Sequence, residues 1–266
     1  MQLSLYQIDA FANKLFEGNP AAVFPLDEWL PNEIMQSIAM ENNLSETAFF
    51  VKKNNRYHIR WFTPSHEVDL CGHATLASAF VIFNILGHQG SEILFDSISG
   101  LLRVTQSGDW IEMDFPSLTS VECVPPIQIL EAFSEEPIEC LCAEDYVLVF
   151  KDECSVFNAN PNIPLLAELD LRGVAITSKS KDYDFITRFF APKYGVNEDP
   201  VTGSAFTQLI PYWAKKLNKL NLSAKQVSKR GGIVRCVDAG ERVKISGTAV
   251  KYMEGTIEIK AQLKNQ

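Results

Sequence analysis

The feature that most constrains this chain is an internal repeat of a strand, a polar loop and a helix. The first copy runs from Arg60 to Phe80 and the second from Arg188 to Leu209. Each copy begins with an arginine, two aromatic residues, a small residue and a proline, and each later reaches a glycine followed by small residues. Self-similarity at a fixed separation is typical of repeated architecture, so we expect two related halves.

Each repeat predicts the N-terminus of a helix at a glycine, Gly72 in the first copy and Gly203 in the second. The first N–H groups of a helix lack partners within the helix and carry the positive end of its dipole. Two such ends facing one cleft would hold a carboxylate or another anionic group. The residues alone leave open that both copies are ordinary structural units without a ligand.

Bulk properties exclude several classes of protein. The 266-residue chain has a formal net charge of −9, which disfavours a nucleic-acid partner because phosphate binding needs a basic patch. The one basic cluster, Lys225 to Arg230, is interpreted as a solvated face. We expect no membrane partner, because no apolar run approaches ~18 residues. Six cysteines without paired spacing predict no metal site, and reduced thiols are typical of a cytoplasmic protein.

The order of the predicted elements favours an α+β fold. Short strands and turns surround a few helices, and strands do not alternate regularly with helices as they do in a Rossmann sheet. The two repeat helices are expected over residues 72–86 and 202–217.

A proline-rich segment, residues 116–126, predicts the boundary between the two halves. The N-terminal half is placed at 1–117 and the C-terminal half at 127–266. The last strand is expected at 256–262, with the option that it returns to the first half.

Four short blocks resemble the signature blocks of the PhzF-like isomerases of phenazine biosynthesis. They are Gly18-Asn19-Pro20, Leu44-Ser45-Glu46-Thr47, Cys71-Gly72-His73-Ala74 and Glu198-Asp199-Pro200-Val201-Thr202-Gly203-Ser204-Ala205. They follow one another in the family's order across nearly the whole chain. The resemblance implies the fold of diaminopimelate epimerase. In that fold each of two pseudo-symmetric halves is a mixed barrel-like sheet around a central helix, and the active site lies in the cleft between the halves.

The resemblance also implies the reaction. It points to an isomerase that needs no cofactor and no metal and shifts a proton on a small carboxylate-bearing metabolite, and it implies a homodimer. The catalytic glutamate of the family falls on Glu46, which would remove a proton from carbon and return it elsewhere. A dry cleft would raise the pKa of such a carboxyl above ~4.3. Taken alone, Glu46 is one of 33 acidic residues and could be a solvated or capping side chain.

Two further residues are expected to assist catalysis. His73 suits proton relay or substrate orientation, because imidazole titrates near ~6.5, although a structural histidine remains open. Asp199 is expected to orient the substrate or to help return the proton, and an N-cap role remains the alternative. Substrate binding is expected from five residues: Asn19, Ser45, Gly72, Gly203 and Ser204.

A departure from the related epimerases concerns their two catalytic cysteines. The resemblance places the first on Cys71 and the second on Val201, and valine cannot transfer a proton. Two-thiol racemisation is therefore disfavoured, and Cys71 is interpreted as a small apolar filler. An amino-acid racemase or epimerase stays open as an alternative, as does a non-catalytic small-molecule binding protein of the same fold.

Overall fold

The structure, a computed structural model, describes residues 1–259 of the chain. Its first elements are β1 (Gln2–Ala10), β2 (Asn19–Leu26), α1 (Asn32–Asn42), β3 (Glu46–Lys53), β4 (Arg56–Phe62), β5 (Glu67–Val68), α2 (Gly72–Phe80), β6 (Glu92–Ser97), β7 (Gly100–Ser107) and β8 (Trp110–Pro116). The remaining elements are β9 (Val121–Glu122), α3 (Ile127–Ala132), β10 (Glu139–Cys142), β11 (Tyr146–Val149), α4 (Glu153–Asn158), α5 (Ile163–Ala167), β12 (Val174–Lys179), β13 (Phe185–Ala191), β14 (Val196–Asp199), α6 (Phe206–Leu217), β15 (Asn221–Gln226), β16 (Gly232–Asp238), β17 (Arg242–Gly247) and β18 (Ala249–Glu258).

The chain divides into two compact units. Unit 1 comprises Met1–Phe16, Pro20–Met113 and the described residues from Thr248 onward. Unit 2 comprises Glu17–Asn19 and Asp114–Gly247. The strand β18 therefore belongs to unit 1, where it pairs antiparallel with β1 from Gln2 to Ala10. The sequence placed the last strand at 256–262; of that range, residues 260–262 lie outside the described residues.

The strands of unit 1 pair in a characteristic order. β2 runs parallel to β3, β3 antiparallel to β4, and β4 antiparallel to the short β5. β4 also pairs in parallel with β6, which continues antiparallel into β7. Helix α1 packs over β3 and β4. Its residues Met35, Ile38 and Ala39 are buried.

Unit 2 repeats this order with other strands. β11 runs parallel to β12, β12 antiparallel to β13, and β13 antiparallel to the short β14. β13 also pairs in parallel with β15, which continues antiparallel into β16. The prediction of an α+β chain with two related halves is therefore confirmed strand by strand.

Each unit contains a helix at the equivalent place in this order. In α2 every residue from Gly72 to Ala79 is buried, because small side chains allow the surrounding strands to pack closely. In α6 the first five residues and Trp213 are buried, and Lys215 and Lys216 lie in the last turn, where positive charge is favourable.

The repeat extends to individual side chains. Arg60 donates from Nε and Nη2 to the two carboxylate oxygens of Glu67, at 2.7 and 2.6 Å, and lies over the ring of Phe62. In unit 2 Arg188 donates in the same bidentate way to Glu198, at 2.7 and 3.1 Å, and lies over Phe190. Bidentate pairs of this kind fix both position and orientation, so each arginine anchors the short strand that follows it.

Both repeat helices begin or end differently from the sequence prediction. The first was expected to continue to residue 86, but it is α-helical only to Phe80 and continues as a π-helical turn over Val81–Ile85. The second was expected to begin at residue 202, but a 3₁₀ turn over Gly203–Ala205 precedes α6. Such non-α turns change which side chains share a face of the helix, a detail that apolar periodicity does not resolve.

Within residues 1–259, none of the helices combines the length and the apolar character that crossing a bilayer requires.

Candidate active site

Glu46 is the first residue of β3, and the end of α1 places it there. Helix α1 stops at Asn43, which adopts the left-handed conformation with φ 49° and donates its N–H to the carbonyl of Ala39. Asparagine tolerates this conformation better than most residues, so the chain can turn sharply into the strand. The side chain of Glu46 is about one-fifth exposed, at 20%.

The Glu46 carboxylate lies against a buried histidine. Its Oε2 is 3.2 Å from Nε2 of His73, the second residue of α2. Burial lowers the pKa of His73 from 6.5 to about 3, so the imidazole is neutral at physiological pH. A neutral imidazole donates from one nitrogen and accepts at the other. We assign the proton to Nε2, the nitrogen that faces the Glu46 carboxyl group.

Cys71 completes a line of three side chains. It is the N-cap of α2 in an extended conformation, it is buried, and its Sγ lies 3.6 Å from Nδ1 of His73. With the proton on Nε2, Nδ1 is an acceptor for the thiol. The sequence interpreted Cys71 as an apolar filler, and the structure places its sulfur in contact with the imidazole. The imidazole thus connects the thiol to the Glu46 carboxylate.

The same three side chains are the only group in the described part of the chain that offers three metal-ligand atoms within 4.8 Å of one another. Glu46 and Cys71 contact different nitrogens of the His73 ring. A single ion binds an imidazole through one nitrogen, so it could not replace both contacts without a rearrangement. The arrangement suits a carboxylate positioned by an imidazole better than a metal cage.

Asp199 is the corresponding acidic group of unit 2 and ends β14. Its Oδ1 accepts a hydrogen bond from Nδ2 of Asn19 at 2.8 Å, and its Oδ2 accepts one from Oγ1 of Thr202. Although the residue is partly exposed, protein surrounds its carboxyl group. This burial raises the pKa of Asp199 from 3.8 to about 6, while the two hydrogen bonds and the charge of Arg172 act in the opposite direction. Near neutral pH, Asp199 can therefore gain or lose a proton.

Asn19 takes its place through the turn before it. Gly18 has φ 66°, a conformation that glycine adopts without strain, and its N–H donates to the carbonyl of Gly231 at 2.7 Å. Arg230 donates to the carbonyl of Gly18 at 2.8 Å and to that of Glu17 at 2.9 Å. The segment 17–19 is thereby held within unit 2, and the buried Asn19 faces Asp199.

Gln226 is a positioning residue that the sequence did not reveal. It is fully buried, it accepts from the backbone N–H of Thr202 at 2.9 Å, and it donates to the carbonyl of Asp199 at 2.8 Å. One amide thus fixes the backbone on both sides of the turn that carries the acid. The interpretation of residues 225–230 as a solvated face is wrong for Gln226 and for Arg230, whose guanidinium binds backbone carbonyls.

Arg172 is a second residue that sequence reasoning missed. Its guanidinium donates from Nε to Oδ1 of the buried Asp145 at 2.9 Å and from Nη2 to Oδ2 at 2.5 Å. Nη1 donates to Oγ of Ser204 at 2.9 Å. Because a guanidinium has no acceptor, Ser204 must accept here, and its hydroxyl proton remains directed elsewhere. Arg172 therefore turns the predicted substrate-binding serine into a donor suited to a carboxylate.

The remaining predicted binding residues lie at the starts of elements. Ser45 is half-buried in the turn before β3. Gly72 is the first residue of α2, and Gly203 begins the 3₁₀ turn before α6; both are buried. Neither glycine contributes a side chain, so any contact with a substrate would come from backbone N–H groups.

The structure also corrects the expected equivalence of Cys71 and Val201. Cys71 is the N-cap of α2, whereas the N-cap of the 3₁₀ turn is Thr202, one residue later than the sequence placed it. The hydroxyl of Thr202 binds Asp199. Unit 2 thus has a threonine hydroxyl where unit 1 has a thiol. Neither Val201 nor Thr202 supplies a second cysteine.

A sequence model of the family described as phenazine biosynthesis-like protein matches residues 8–255. The chain belongs to the phenazine biosynthesis-like family. An uncharacterised isomerase of Pseudomonas aeruginosa is 49% identical over 259 residues, which cover 97% of this chain and 100% of that relative. The crystal structure of a PhzF-family protein from Enterococcus faecalis matches with a TM-score of 0.95 and 45% identity, over 97% of this chain and all of that one.

A more distant structure supports the fold alone. A hydroxyproline epimerase of Agrobacterium vitis matches with a TM-score of 0.61 and 11% identity, over 96% of this chain and 92% of that one. The predicted membership of the PhzF-like family, the epimerase-like fold and the isomerase class are thereby confirmed. The roles assigned to Glu46, His73 and Asp199 stay predictions.

Proposed function

We propose that the protein is a cofactor-independent isomerase that shifts a proton on a small carboxylate-bearing metabolite by carboxylate acid/base catalysis. The observation that carries the proposal is the 3.2 Å contact between Oε2 of Glu46 and Nε2 of the buried, neutral His73. A general base must be held in a fixed position, and its neighbour must not neutralise it by giving it a proton. A neutral imidazole supplies both.

In the proposed first step, Glu46 removes a proton from a carbon of the substrate. Nε2 of His73 lies 3.2 Å from Oε2 of this carboxylate, and the contact between Cys71 and Nδ1 is expected to keep the imidazole proton on Nε2. An imidazole with a pKa near 3 does not take the proton itself, so the proton remains on Glu46 for return to another carbon. The roles of acid and base are therefore carried by one side chain.

Asp199 and Ser204 are assigned to the substrate's polar groups. With a pKa raised to about 6, Asp199 exists in both protonation states near neutrality and can accept from or donate to a hydroxyl or amino group. Ser204 accepts from Arg172, so its own hydroxyl proton can be donated to a substrate carboxylate. The backbone N–H groups at Gly72 and at Gly203 are each assigned to substrate binding.

The experiment that tests this proposal is a panel of small carboxylic and amino acids incubated with the protein in deuterated water. We expect mass spectrometry to show deuterium in at least one compound, together with a change in its chromatographic position as the isomer forms. The Glu46→Gln variant, which has nearly the same shape, should incorporate no label above background. Its thermal melting curve should match that of the parent, which excludes unfolding as the cause.

The two alternative functions give different results in the same panel. An amino-acid racemase would label a stereocentre without moving the proton to another carbon, and alkylation of Cys71 would stop it. A non-catalytic binding protein would bind a compound without labelling it, and Glu46→Gln would not change its affinity. Labelling that persists in Glu46→Gln would contradict the assignment of the base.

Two further parts of the proposal lie outside the reaction. The first is a homodimer, which rests on family membership alone and which sedimentation velocity at micromolar concentration would detect. A cytoplasmic location is proposed on different grounds, because the six cysteines lack paired spacing and are expected to be reduced thiols. The implication that Glu46 and Asp199 act on one substrate is tested kinetically. If they do, the loss in kcat/KM of the double variant Glu46→Gln/Asp199→Asn should be smaller than the product of the two single losses.

A further inference from the structure

Three cysteines of unit 2 form a cluster distinct from the residues assigned above. They are Cys123, which follows β9, and Cys140 and Cys142 in β10. Cys140 is buried, and the other two are partly exposed. All three pack against the same apolar core, around residues such as Tyr146 and Phe150. The proposed reaction uses none of them.

The backbone places Cys123 and Cys140 directly opposite each other. β9 and β10 run antiparallel with Glu122 opposite Leu141 and Val121 opposite Cys142. The next pair in this register is Cys123 with Cys140, and the N–H of Cys123 donates to the carbonyl of Cys140 at 3.0 Å. Directly opposed residues of an antiparallel pair have Cα atoms about 5.5 Å apart or less, which lies within the range that a disulfide can span.

The side chains of the opposed cysteines are also close together. The two sulfur atoms of Cys123 and Cys140 are 3.5 Å apart. Cys142 lies two residues further along β10 and therefore on the same face of the strand as Cys140. Cys123 thus has one buried thiol in contact and a partly exposed thiol nearby on the same strand face.

We propose that Cys123 is an oxidation site at which hydrogen peroxide produces a reversible disulfide with Cys140. Cys123 is the member of the pair that solvent reaches, and Cys140 is positioned to resolve the oxidised sulfur before further oxidation occurs. Reducing thiols such as glutathione or dithiothreitol restore the two free thiols. Disulfides of this kind in reducing compartments are typically transient and sensory.

The chemistry balances in two steps. The Cys123 thiolate attacks one oxygen of the peroxide, so an S–O bond forms, the O–O bond breaks, and hydroxide leaves to yield a sulfenic acid. The Cys140 thiolate then attacks the Cys123 sulfur, so an S–S bond forms, the S–O bond breaks, and hydroxide leaves as water after protonation. Two thiols lose two electrons in total, and one peroxide becomes two molecules of water.

The surroundings make this pair slow to react at neutral pH. Burial raises the pKa of both Cys123 and Cys140. The Asp170 carboxylate contributes in the same direction at Cys123 and at Cys142, and Tyr146 holds that carboxylate by a 2.8 Å hydrogen bond. Because the thiolate is the nucleophile, the rate of disulfide formation should rise as the pH is increased from 7 toward 9.

The test treats the full chain with hydrogen peroxide, blocks the remaining thiols with N-ethylmaleimide and maps the peptides by mass spectrometry. We expect a cross-linked peptide that joins Cys123 to Cys140, lost after dithiothreitol, in a protein that stays monomeric on a non-reducing gel. The cross-link closes a loop that contains α3, so the melting temperature of the oxidised form should rise by about 5 °C.

Two variants make the outcome decisive. Cys123→Ser should form no disulfide within the cluster, and Cys154→Ser, which removes an exposed cysteine elsewhere, should leave the cross-link unchanged. The melting curve of untreated Cys123→Ser should show that it folds. The proposal is overturned if Cys123→Ser still forms a disulfide between Cys140 and Cys142. It is equally overturned if Cys123 reaches the sulfinic state in the parent without pairing with Cys140.

Discussion

The two units pair their strands in the same order, yet each carries its acidic side chain on a different strand. In unit 1 Thr47 pairs with Phe62, and Glu46 precedes it at the start of β3. In unit 2 Val174 pairs with Phe190, so the position equivalent to Glu46 is Gly173. A Cβ atom there would lie 2.6 Å from Cζ of Phe189, so a side chain cannot be accommodated without rearrangement.

Unit 1, in turn, has no acid at the position that Asp199 occupies in unit 2. Asp199 pairs with Phe189 in unit 2, and in unit 1 the equivalent Trp61 pairs with Val68. The aspartate of the first repeat loop, Asp69, lies one residue further on than Val68. The fold thus offers two positions for a carboxylate near the repeat helix. Each unit carries an acid at one of them, and at the other it has an apolar side chain or a glycine. Internal repetition alone therefore does not make the two acids equivalent in environment or in role.

The largest expected effect concerns catalysis by the two acids. Glu46→Gln should lower kcat about 10³-fold, because it removes the base, whereas Asp199→Asn should lower it about 10²-fold, because it removes an assisting group. Steady-state kinetics on the substrate found in the labelling panel measures both. Equal losses would break the distinction between a proton-transferring acid and an orienting one.

The second prediction concerns the position that unit 2 leaves empty. Gly173→Ala should lower the free energy of unfolding by about 1–3 kcal/mol, since the new methyl group overlaps the Phe189 ring and the Phe190 carbonyl. Gly255→Ala is the matched control, because no atom lies within 4 Å of a Cβ built there. Urea denaturation would measure both. A Gly173→Ala protein as stable as the control would show that unit 2 could have carried the acid at the unit 1 position.

The third prediction uses pH. The pKa of His73 falls from 6.5 to about 3 on folding. Between these values the unfolded chain binds a proton at this residue and the native state does not, so the free energy of unfolding falls as the pH drops below 6.5. The pKa of Asp199 rises from 3.8 to about 6, so the native state binds the extra proton, and stability falls as the pH rises from 3.8 to 6. Each group changes the free energy of unfolding by at most ~1.4 kcal/mol per pH unit, with opposite signs.

Urea denaturation at pH 7.0 and pH 4.5 separates these contributions. His73→Asn should lose less stability than the parent on acidification, and Asp199→Asn should lose more. Shifts of the same sign in both variants would contradict the opposite environments of the two groups.

The smallest expected effect concerns Arg172. Lysine can keep one bond to Asp145 but cannot form the bidentate pair and also donate to Ser204. We expect Arg172→Lys to raise KM about 5- to 10-fold with kcat nearly unchanged, because only binding of the substrate carboxylate is weakened. Arg103→Lys, which alters an exposed pair with Glu92, is the control. A fall in kcat without a rise in KM would assign Arg172 to the chemical step instead.

The sequence predicted the features that depend on residues close together in the chain. The repeat and the small-residue helices follow from short-range patterns, and the family blocks pointed to Glu46, His73 and Asp199. What it missed depends on contacts between residues far apart in the chain. Gln226 reaches Asp199 from the end of β15, and Arg172 reaches Ser204 from the bend before β12. No local pattern reports which residues of distant strands face each other.

The pairing of β1 with β18 has a consequence for biosynthesis. Nine consecutive residues near the N-terminus have their hydrogen-bonding partners on a strand that the ribosome makes only after the whole of Asp114–Gly247. All of unit 2 has been synthesised before β18 is made, whereas unit 1 is not complete until β18 has been synthesised. During translation the exposed edge of β1 is thus a site where a chaperone or another nascent chain can bind before the native partner arrives.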